Sequence, residues 1–267
     1  MLTYEVLLEQ ARLRSMPLTK ARGILREYLH MLILKEIYKL DDGRKLYFTG
    51  GSYLRLVHNL KRFSEDLDFN TASLKRSAFE SLAKRVTIEL KRINIETSVI
   101  FDHGDNMLSA QLIFPAIEKA YNIVSRFSKK EGIIIKLEAN RPRWNIKKES
   151  EVIAGFGELY PCICTDKSAL FADKIDALNK ESRGRHIYDI TFMLSNKYPV
   201  DRKILKSLGI EGDPLEVIEN RIKGFSGAEL KKQAETLRLF LFDESEADWV
   251  IHAKDIIPSL IEKYRKA

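Results

Sequence analysis

The stretch FTGGSYLRLVHNLKRFSEDLDF, residues 48–69, decides the fold. The segment KLYFT at 45–49 is short, aromatic and β-branched, which predicts a strand that runs into a tight GGS turn at 50–52. A helical pattern of apolar residues follows from Tyr53 to Leu60, and residues 66–70 predict a second strand. The stretch therefore joins a glycine turn, placed between a strand and a helix, to a strand that carries acids.

Asp66 and Asp68 are the candidate metal ligands of this stretch. Alternation along a strand would place both carboxylates on one face, with Leu67 and Phe69 on the other. Two neighbouring acids repel each other, and a divalent cation between them would remove that repulsion, because Mg²⁺ prefers oxygen ligands. A solvated strand face is the alternative interpretation of the same D-x-D pattern.

Gly51 and Ser52 are the candidate phosphate ligands. Glycine at such a corner lets the backbone approach a ligand, and the amides at the start of a helix favour phosphate. The Ser52 hydroxyl would add a contact. One element would then hold a triphosphate while the next strand holds the metal that neutralises it, which are the two parts that phosphoryl transfer needs. A strand, GGS turn and helix is common by itself, so the prediction of a Mg-NTP site depends on the combination.

These residues resemble the nucleotidyltransferase superfamily of the polymerase-beta type, and more narrowly the AbiEii/MenT family of nucleotidyltransferase toxins. GGSYLRL is followed by RFSEDLDF, in which Arg62, Ser64, Asp66 and Asp68 match the family string R-x-S-x-D-x-D-F. The resemblance covers roughly residues 46–194. It implies that Arg62 belongs to the nucleotide-binding set together with the glycine turn.

Lys174 and Asp189 are the candidate site residues of the second half of the chain, and both border an apolar helix face. The lysine either extends to water or points into a polar cleft. The acid is either stabilised by a helix start and by Arg185, or it is functional. The run 173–190 resembles a second motif of the same family, which carries both residues over as active-site positions. Lys174 would neutralise the triphosphate, and Asp189 would orient Lys174 or the acceptor, or act as a base.

Glu138 is the candidate third metal ligand, on the predicted strand GIIIKLEA at 132–139. Alternation places Lys136 and Glu138 on one face of that strand. The superfamily usually has a third acid on a later strand, which favours this role. A lysine–glutamate pair at a strand edge is the alternative interpretation.

The whole chain predicts an α+β fold in two lobes. Helices are expected over residues 1 to about 40 and over 74–93, and further strands over 96–101 and 107–114. From residue 166 onward the pattern is almost wholly helical, with Pro161 and the segment 162–165 as the boundary. We expect a nucleotidyltransferase-like lobe with a small mixed sheet and N-terminal helices over 1–165. A helical lobe over 166–267 would, by the family resemblance, complete the active-site cleft.

Composition and charge narrow the function classes. The 267 residues carry a formal net charge of +7, which permits attraction to RNA, DNA or nucleotide phosphate. A basic protein with no nucleic-acid role is the alternative interpretation of this charge. We find no apolar run long enough for a membrane span and no signal-peptide pattern. Two cysteines are too few for a disulfide framework, so the expected compartment is the cytoplasm. The chain lacks P-loop and G-x-S-x-G motifs, which disfavours Walker-type ATPases and serine hydrolases.

The family resemblance implies a specific reaction. A metal-dependent enzyme, with Mg²⁺ or Mn²⁺, would transfer NMP from NTP to an RNA acceptor, and in characterised members the 3′ end of tRNA is such an acceptor. The transfer would block translation, and a cognate antitoxin, often a winged-helix protein, would be a partner. Two alternatives stay open: transfer of NMP to a protein or a small molecule, and a non-catalytic RNA-binding module with this fold.

Overall fold

A mixed sheet of seven strands organises the fold in the computed structural model, which describes residues 1–123 and 132–266. The strands lie in the order β3-β4-β5-β2-β1-β7-β6. Their bounds in chain order are β1 (Tyr47–Thr49), β2 (Leu67–Asn70), β3 (Ser98–Phe101), β4 (Met107–Phe114), β5 (Ile133–Asn140), β6 (Lys148–Gly155) and β7 (Glu158–Thr165).

Twelve α-helices lie in the described residues. Five belong to the part of the chain that holds the sheet: α1 (Tyr4–Leu13), α2 (Ala21–Tyr38), α3 (Gly50–Leu56), α4 (Arg76–Arg92) and α5 (Ile117–Ala120). Seven follow the last strand: α6 (Lys167–Lys180), α7 (Gly184–Ser195), α8 (Arg202–Ser207), α9 (Pro214–Lys223), α10 (Gly227–Arg238), α11 (Asp248–Ile251) and α12 (Ala253–Arg265). None of the helices described here is long and apolar enough to span a membrane.

The strand β2 lies between two neighbours of opposite direction, because it pairs antiparallel with β1 and parallel with β5. Leu67 and Phe69 of β2 are fully buried, and the ring of Phe69 packs against that of Phe48 with centroids 5.7 Å apart. The predicted α+β class with a mixed sheet is therefore confirmed. The strand begins one residue later than the sequence pattern indicates, so Asp66 lies just outside it.

The chain divides into two compact units. The first comprises Met1–Asn59, Phe63–Pro142 and Lys148–Thr165, and it contains the whole sheet. The second comprises Leu60–Arg62, Arg143–Lys147 and Asp166–Ala267. The segment Leu60–Arg62 joins the second unit through backbone contacts, since Arg62 forms an isolated β-bridge with Leu241. Sequence patterns place a single boundary near residue 165 and give no sign of these two short segments.

The hairpin of β6 and β7 is absent from the sequence expectation, which treats residues 162–165 as a boundary. Its eight paired positions join at a two-residue turn, in which Phe156 and Gly157 have φ angles of 53° and 77°. Charged residues alternate with few apolar ones along β6, so its period-2 pattern is weak. Residues 162–165 instead complete β7, which runs parallel to β1. The hairpin of β6 and β7 thus adds two strands to the five that the sequence predicts.

Candidate active site

Four neighbouring strands each contribute one polar residue to a single row across the sheet of the first unit. Thr49 on β1 is paired with Asp68 on β2, Asp68 with Glu138 on β5, and Glu138 with Ser109 on β4. Residues directly opposite each other point to the same face, and neighbouring strands lie about 4.8 Å apart. The row therefore places two carboxylates side by side, with a hydroxyl at each end.

The glycine corner lies directly against this row. Gly50 has a φ of +78°, and a Cβ atom added there would lie 2.1 Å from Oδ2 of Asp68. Only glycine allows the backbone to pass so close to the carboxylate in this conformation. The corner is further fixed from α2, where Glu27 accepts two hydrogen bonds from the buried guanidinium of Arg55 on α3, at 2.8 and 3.1 Å. The sequence pattern singled out Gly51 and Ser52, whereas Gly50 makes the close approach.

Asp66 sits at the entrance to β2 and is partly buried. Its Oδ1 atom accepts a hydrogen bond from the backbone amide of Lys136, at 3.4 Å. Burial raises the pKa of Asp66, the neighbouring Glu65 raises it further, and the Lys136 amide opposes both. An aspartate with a raised pKa gains from a positive charge nearby, so this position favours a cation.

The hydroxyl of Ser52 has a partner within the protein. Ser52 is fully buried in α3, and its Oγ atom donates a hydrogen bond to the backbone carbonyl of Asp66. A serine hydroxyl carries one proton, and this contact uses it. The observed contact fixes the chain at Asp66. A phosphate role for the Ser52 hydroxyl stays a prediction, and as a donor it would require this hydrogen bond to break.

Glu138 forms the ion pair that the alternative interpretation foresaw, with 3.7 Å between its Oε1 atom and Nζ of Lys136. The pair does not lie at a sheet edge, because β5 runs between β4 and β2. About half of the Lys136 side chain is exposed, so the pair is weak. Glu138 thus lies beside Asp68 in the row, and Lys136 is only a weakly bound partner of Glu138.

The second unit contains a buried cluster of three charges. Arg62 binds both oxygens of Asp189 in a bidentate pair, with Nε–Oδ1 and Nη2–Oδ2 distances of 2.7 Å. Lys174 on α6 approaches Oδ2 of the same carboxylate at 2.7 Å. The side chain of Asp189 is fully buried and that of Lys174 is 11% exposed. Lys174 therefore does not simply extend into water, and Asp189 takes its partners from Arg62 and Lys174.

The electrostatics of Asp189 fit an orienting role. Burial alone would raise the pKa of Asp189, but the charges and hydrogen bonds of Arg62 and Lys174 outweigh burial and hold it well below its usual range. Such a carboxylate is a weak proton acceptor near neutral pH, which disfavours the predicted role as a base. The guanidinium of Arg62 is buried against that carboxylate, and its place in the nucleotide-binding set stays a prediction.

Comparison of the chain with models of protein families finds the same family that the R-x-S-x-D-x-D-F string and the second motif indicate. The family model described as "Nucleotidyl transferase AbiEii toxin, Type IV TA system" matches residues 32–264. The protein belongs to the AbiEii family. This membership confirms the predicted resemblance and makes the chain a relative of nucleotidyltransferase toxins. No curated protein matches the chain.

Solved structures share the fold of this AbiEii member. MenT4, a nucleotidyltransferase toxin from Mycobacterium tuberculosis, is similar with a TM-score of 0.59 and 18% identity, over 100% of this chain and 93% of that chain. A putative nucleotidyltransferase from Helicobacter pylori gives 0.56 and 17%, over 92% and 97%. JHP933 from Helicobacter pylori gives 0.51 and 18%, over 92% and 94%. At these identities the likeness shows the fold alone.

The donor chemistry of the first unit fits the divalent cation that the AbiEii family implies. Asp66, Asp68 and Glu138 offer carboxylate oxygens, which are the ligands that Mg²⁺ prefers. Within residues 1–123 and 132–266, no three His, Cys, Asp or Glu side chains form a cluster that could hold a metal ion. Mg²⁺ is commonly held by one or two carboxylates together with waters and substrate phosphates. The site therefore fits a cation that arrives with a polyphosphate, and the role of Glu138 as a third ligand stays a prediction.

Proposed function

We propose that the protein is a Mg²⁺-dependent nucleotidyltransferase that transfers NMP from NTP to an RNA acceptor, the 3′ end of tRNA, and thereby blocks translation. The contact between Gly50 and Asp68 carries this proposal, because it joins a backbone corner able to receive phosphate to a carboxylate able to hold a cation. Membership of a nucleotidyltransferase toxin family supports the reaction class.

The residues of the first unit would bind the nucleotide and its cation. Asp66 and Asp68 would hold Mg²⁺, with Mn²⁺ as a substitute, and Glu138 would complete the set. When bound, the cation would neutralise charge on the triphosphate. The backbone at Gly51 would contact the phosphates. In the transfer, the acceptor hydroxyl oxygen bonds to the α-phosphorus, the bond to the β-phosphate breaks, and pyrophosphate leaves as the hydroxyl proton passes to solvent.

The residues of the second unit would supply positive charge. An ammonium group carries three N–H donors, of which the contact between Lys174 and Asp189 uses one. We propose that Lys174 neutralises the triphosphate and that Asp189, itself fixed by Arg62, orients Lys174. The formal net charge of +7 supports an RNA acceptor, and the type IV toxin–antitoxin description of the family supports a cognate antitoxin as partner, with a cytoplasmic location.

Transfer of label from each α-labelled NTP to total RNA, with Mg²⁺, tests the proposal. We expect label in tRNA with the wild-type protein, and a loss of about 1,000-fold or more with Asp68→Asn, because a metal ligand is removed. Glu151→Gln, on the outer strand β6, is the matched control and should retain activity. Label in lysate protein instead of RNA would contradict the acceptor. RNA binding without any transfer would contradict the enzyme and support a binding module.

A further inference from the structure

The hydroxyl of Thr49 is a buried polar group that lacks a partner. Thr49 ends β1, immediately before the glycine corner, and only 6% of its surface is exposed. Its Oγ atom makes no hydrogen bond with any residue that the structure describes. Thr49 precedes α3 at the position where a threonine often caps a helix, yet its side chain forms no such bond. The Thr49 hydroxyl therefore makes no stabilising hydrogen bond within the described residues.

An unpartnered buried hydroxyl destabilises a protein, and native structures contain few of them. Valine has nearly the same shape and a high preference for strands, so it would fill this place at the end of β1 without the unsatisfied group. Thr71 shows the usual situation in the same unit, since its buried hydroxyl accepts a hydrogen bond from the Leu74 amide. The difference between the two threonines points to a ligand as the missing partner of Thr49.

The neighbours of Thr49 in the sheet indicate which chemical group would be its partner. Thr49 is directly opposite Asp68 in the antiparallel pair of β1 and β2, so both side chains share one face. The next residue, Gly50, packs against the carboxylate of Asp68. A hydroxyl beside a cation-binding carboxylate and a phosphate-receiving corner can donate its proton to a phosphate oxygen. Ser52 already donates its own proton to the Asp66 carbonyl.

We propose that Thr49 is a substrate-binding residue, whose hydroxyl donates a hydrogen bond to a phosphate oxygen of the nucleoside triphosphate that binds together with the cation at Asp68. The proposal rests on the proposed function and deepens it. It assigns to Thr49 the hydroxyl contact that the sequence pattern predicts for Ser52. Hydrogen bonds to charged groups are stronger than those between neutral groups, so this one contact should measurably change the affinity for the nucleotide.

Two substitutions separate binding from structure. Thr49→Val removes the hydroxyl and keeps the shape, so we expect the calorimetric Kd for Mg-NTP to rise about 10-fold or more. The Tm of the free protein should stay equal or increase, because an unsatisfied group is removed. Thr49→Ser keeps the hydroxyl and should bind with nearly wild-type affinity. Thr71→Val is the matched control, which should lower Tm while leaving the Kd unchanged.

The outcomes distinguish this inference from the function on which it rests. If Thr49→Val binds Mg-NTP as tightly as wild type while Asp68→Asn loses binding, the inference is wrong and the proposed function stands. If Thr49→Val and Thr49→Ser both lower Tm and weaken binding alike, the residue is structural and the inference is again wrong. If the wild-type protein neither binds Mg-NTP nor transfers NMP, the proposed function fails and the inference fails with it.

Discussion

Two aspartates, the partly buried Asp66 of the first unit and the fully buried Asp189 of the second, have opposite electrostatic surroundings. Burial raises the pKa of Asp66 in the first unit, because the Lys136 amide and the charges of Arg26 and Lys136 only partly offset it. In the second unit, Arg62 and Lys174 lower the pKa of Asp189 despite its complete burial. The second unit thus contains the counter-charges of Asp189, whereas Asp66 in the first unit would gain from a further positive charge. Divergent pKa shifts of this kind mark groups with different roles.

Removal of the carboxylate of Asp189 should give the largest effect on stability. Asp189→Ala leaves Arg62 and Lys174 without their shared counter-charge, and breaking a buried ion pair costs about 3–5 kcal/mol of unfolding free energy. Asp66→Asn is the matched variant in the first unit. It should change stability by less than about 1 kcal/mol, because burial already disfavours the charge and asparagine can still accept from the Lys136 amide. Urea unfolding measures both.

Equal losses in these two variants would break the comparison, because they would show that both acids are compensated to the same degree. A smaller loss of unfolding free energy for Asp189→Asn than for Asp189→Ala would show how much of the effect comes from the hydrogen bonds of Asp189. Asparagine can still accept one hydrogen bond from Arg62, although it provides no charge. The unfolding curves should be recorded without added divalent cation, since a cation would stabilise the wild-type first unit selectively.

Substitution of two glycines distinguishes the effect of backbone strain from the effect of a clash with Asp68. Gly50→Ala and Gly157→Ala both place alanine at a positive φ, +78° and +77°, which costs about 1–2 kcal/mol each. Only the Gly50 variant also pushes a Cβ atom into Asp68, whereas nothing lies within 4 Å of the corresponding atom at Gly157. We expect Gly50→Ala to lose more stability than Gly157→Ala in thermal melts and to lose NMP transfer as well. Equal behaviour would mean that the corner and the row are independent.

Because His30 is buried, we expect the free energy of unfolding to depend on pH in the acid range. Burial, followed by the charge of Arg26, lowers the pKa of His30 to about 3, and its Nε2 atom donates to the Glu65 carbonyl. In the unfolded chain the pKa of His30 is its ordinary value of about 6.5. Between pH 3 and pH 6.5 the unfolded chain therefore binds up to one more proton at His30 than the folded chain does. Stability should therefore fall as the pH is lowered from 6.5 toward 3, by at most about 1.4 kcal/mol per pH unit.

The variant His30→Gln isolates this contribution, because glutamine can still donate to the Glu65 carbonyl but does not titrate. Urea midpoints measured from pH 5 to 7 should depend less steeply on pH in the variant than in the wild type. His186 in the second unit, whose pKa is lowered to about 4 chiefly by burial, keeps its own share of the slope in both proteins. An unchanged slope would show that His30 is not held neutral.

Local patterns in the sequence predicted much of the first unit. The alternation at Leu67, Asp68 and Phe69 set the two faces of β2, and the glycine doublet located the corner against Asp68. Both features depend on residues a few positions apart, where strand periodicity and turn chemistry act directly. The hairpin of β6 and β7 escaped detection, since its charged, half-exposed outer strand has little apolar alternation.

Contacts between distant parts of the chain were harder to foresee. One of the two interpretations of Asp189 gave Arg185 as its partner, yet the bidentate partner is Arg62, 127 residues away in sequence. The phosphate role of the Ser52 hydroxyl depends on its place after the glycines and stays a prediction, whereas the hydrogen bond that it donates to the Asp66 carbonyl was not foreseen. Thr49 carries no motif signal at all. It stands out only when burial and strand register are known, because an unpartnered hydroxyl is a property of the packed structure.

The dependence of nucleotide affinity on the divalent cation tests the central claim most directly. Calorimetry with a non-hydrolysable NTP analogue, in Mg²⁺ and then in EDTA, gives this dependence for wild type, Asp68→Asn and the control Glu151→Gln. We predict that Mg²⁺ raises the affinity about 10-fold or more in the wild type and the control, and has no such effect in Asp68→Asn. Equal Mg²⁺ dependence in Asp68→Asn, or none in the wild type, would contradict a cation held by Asp68.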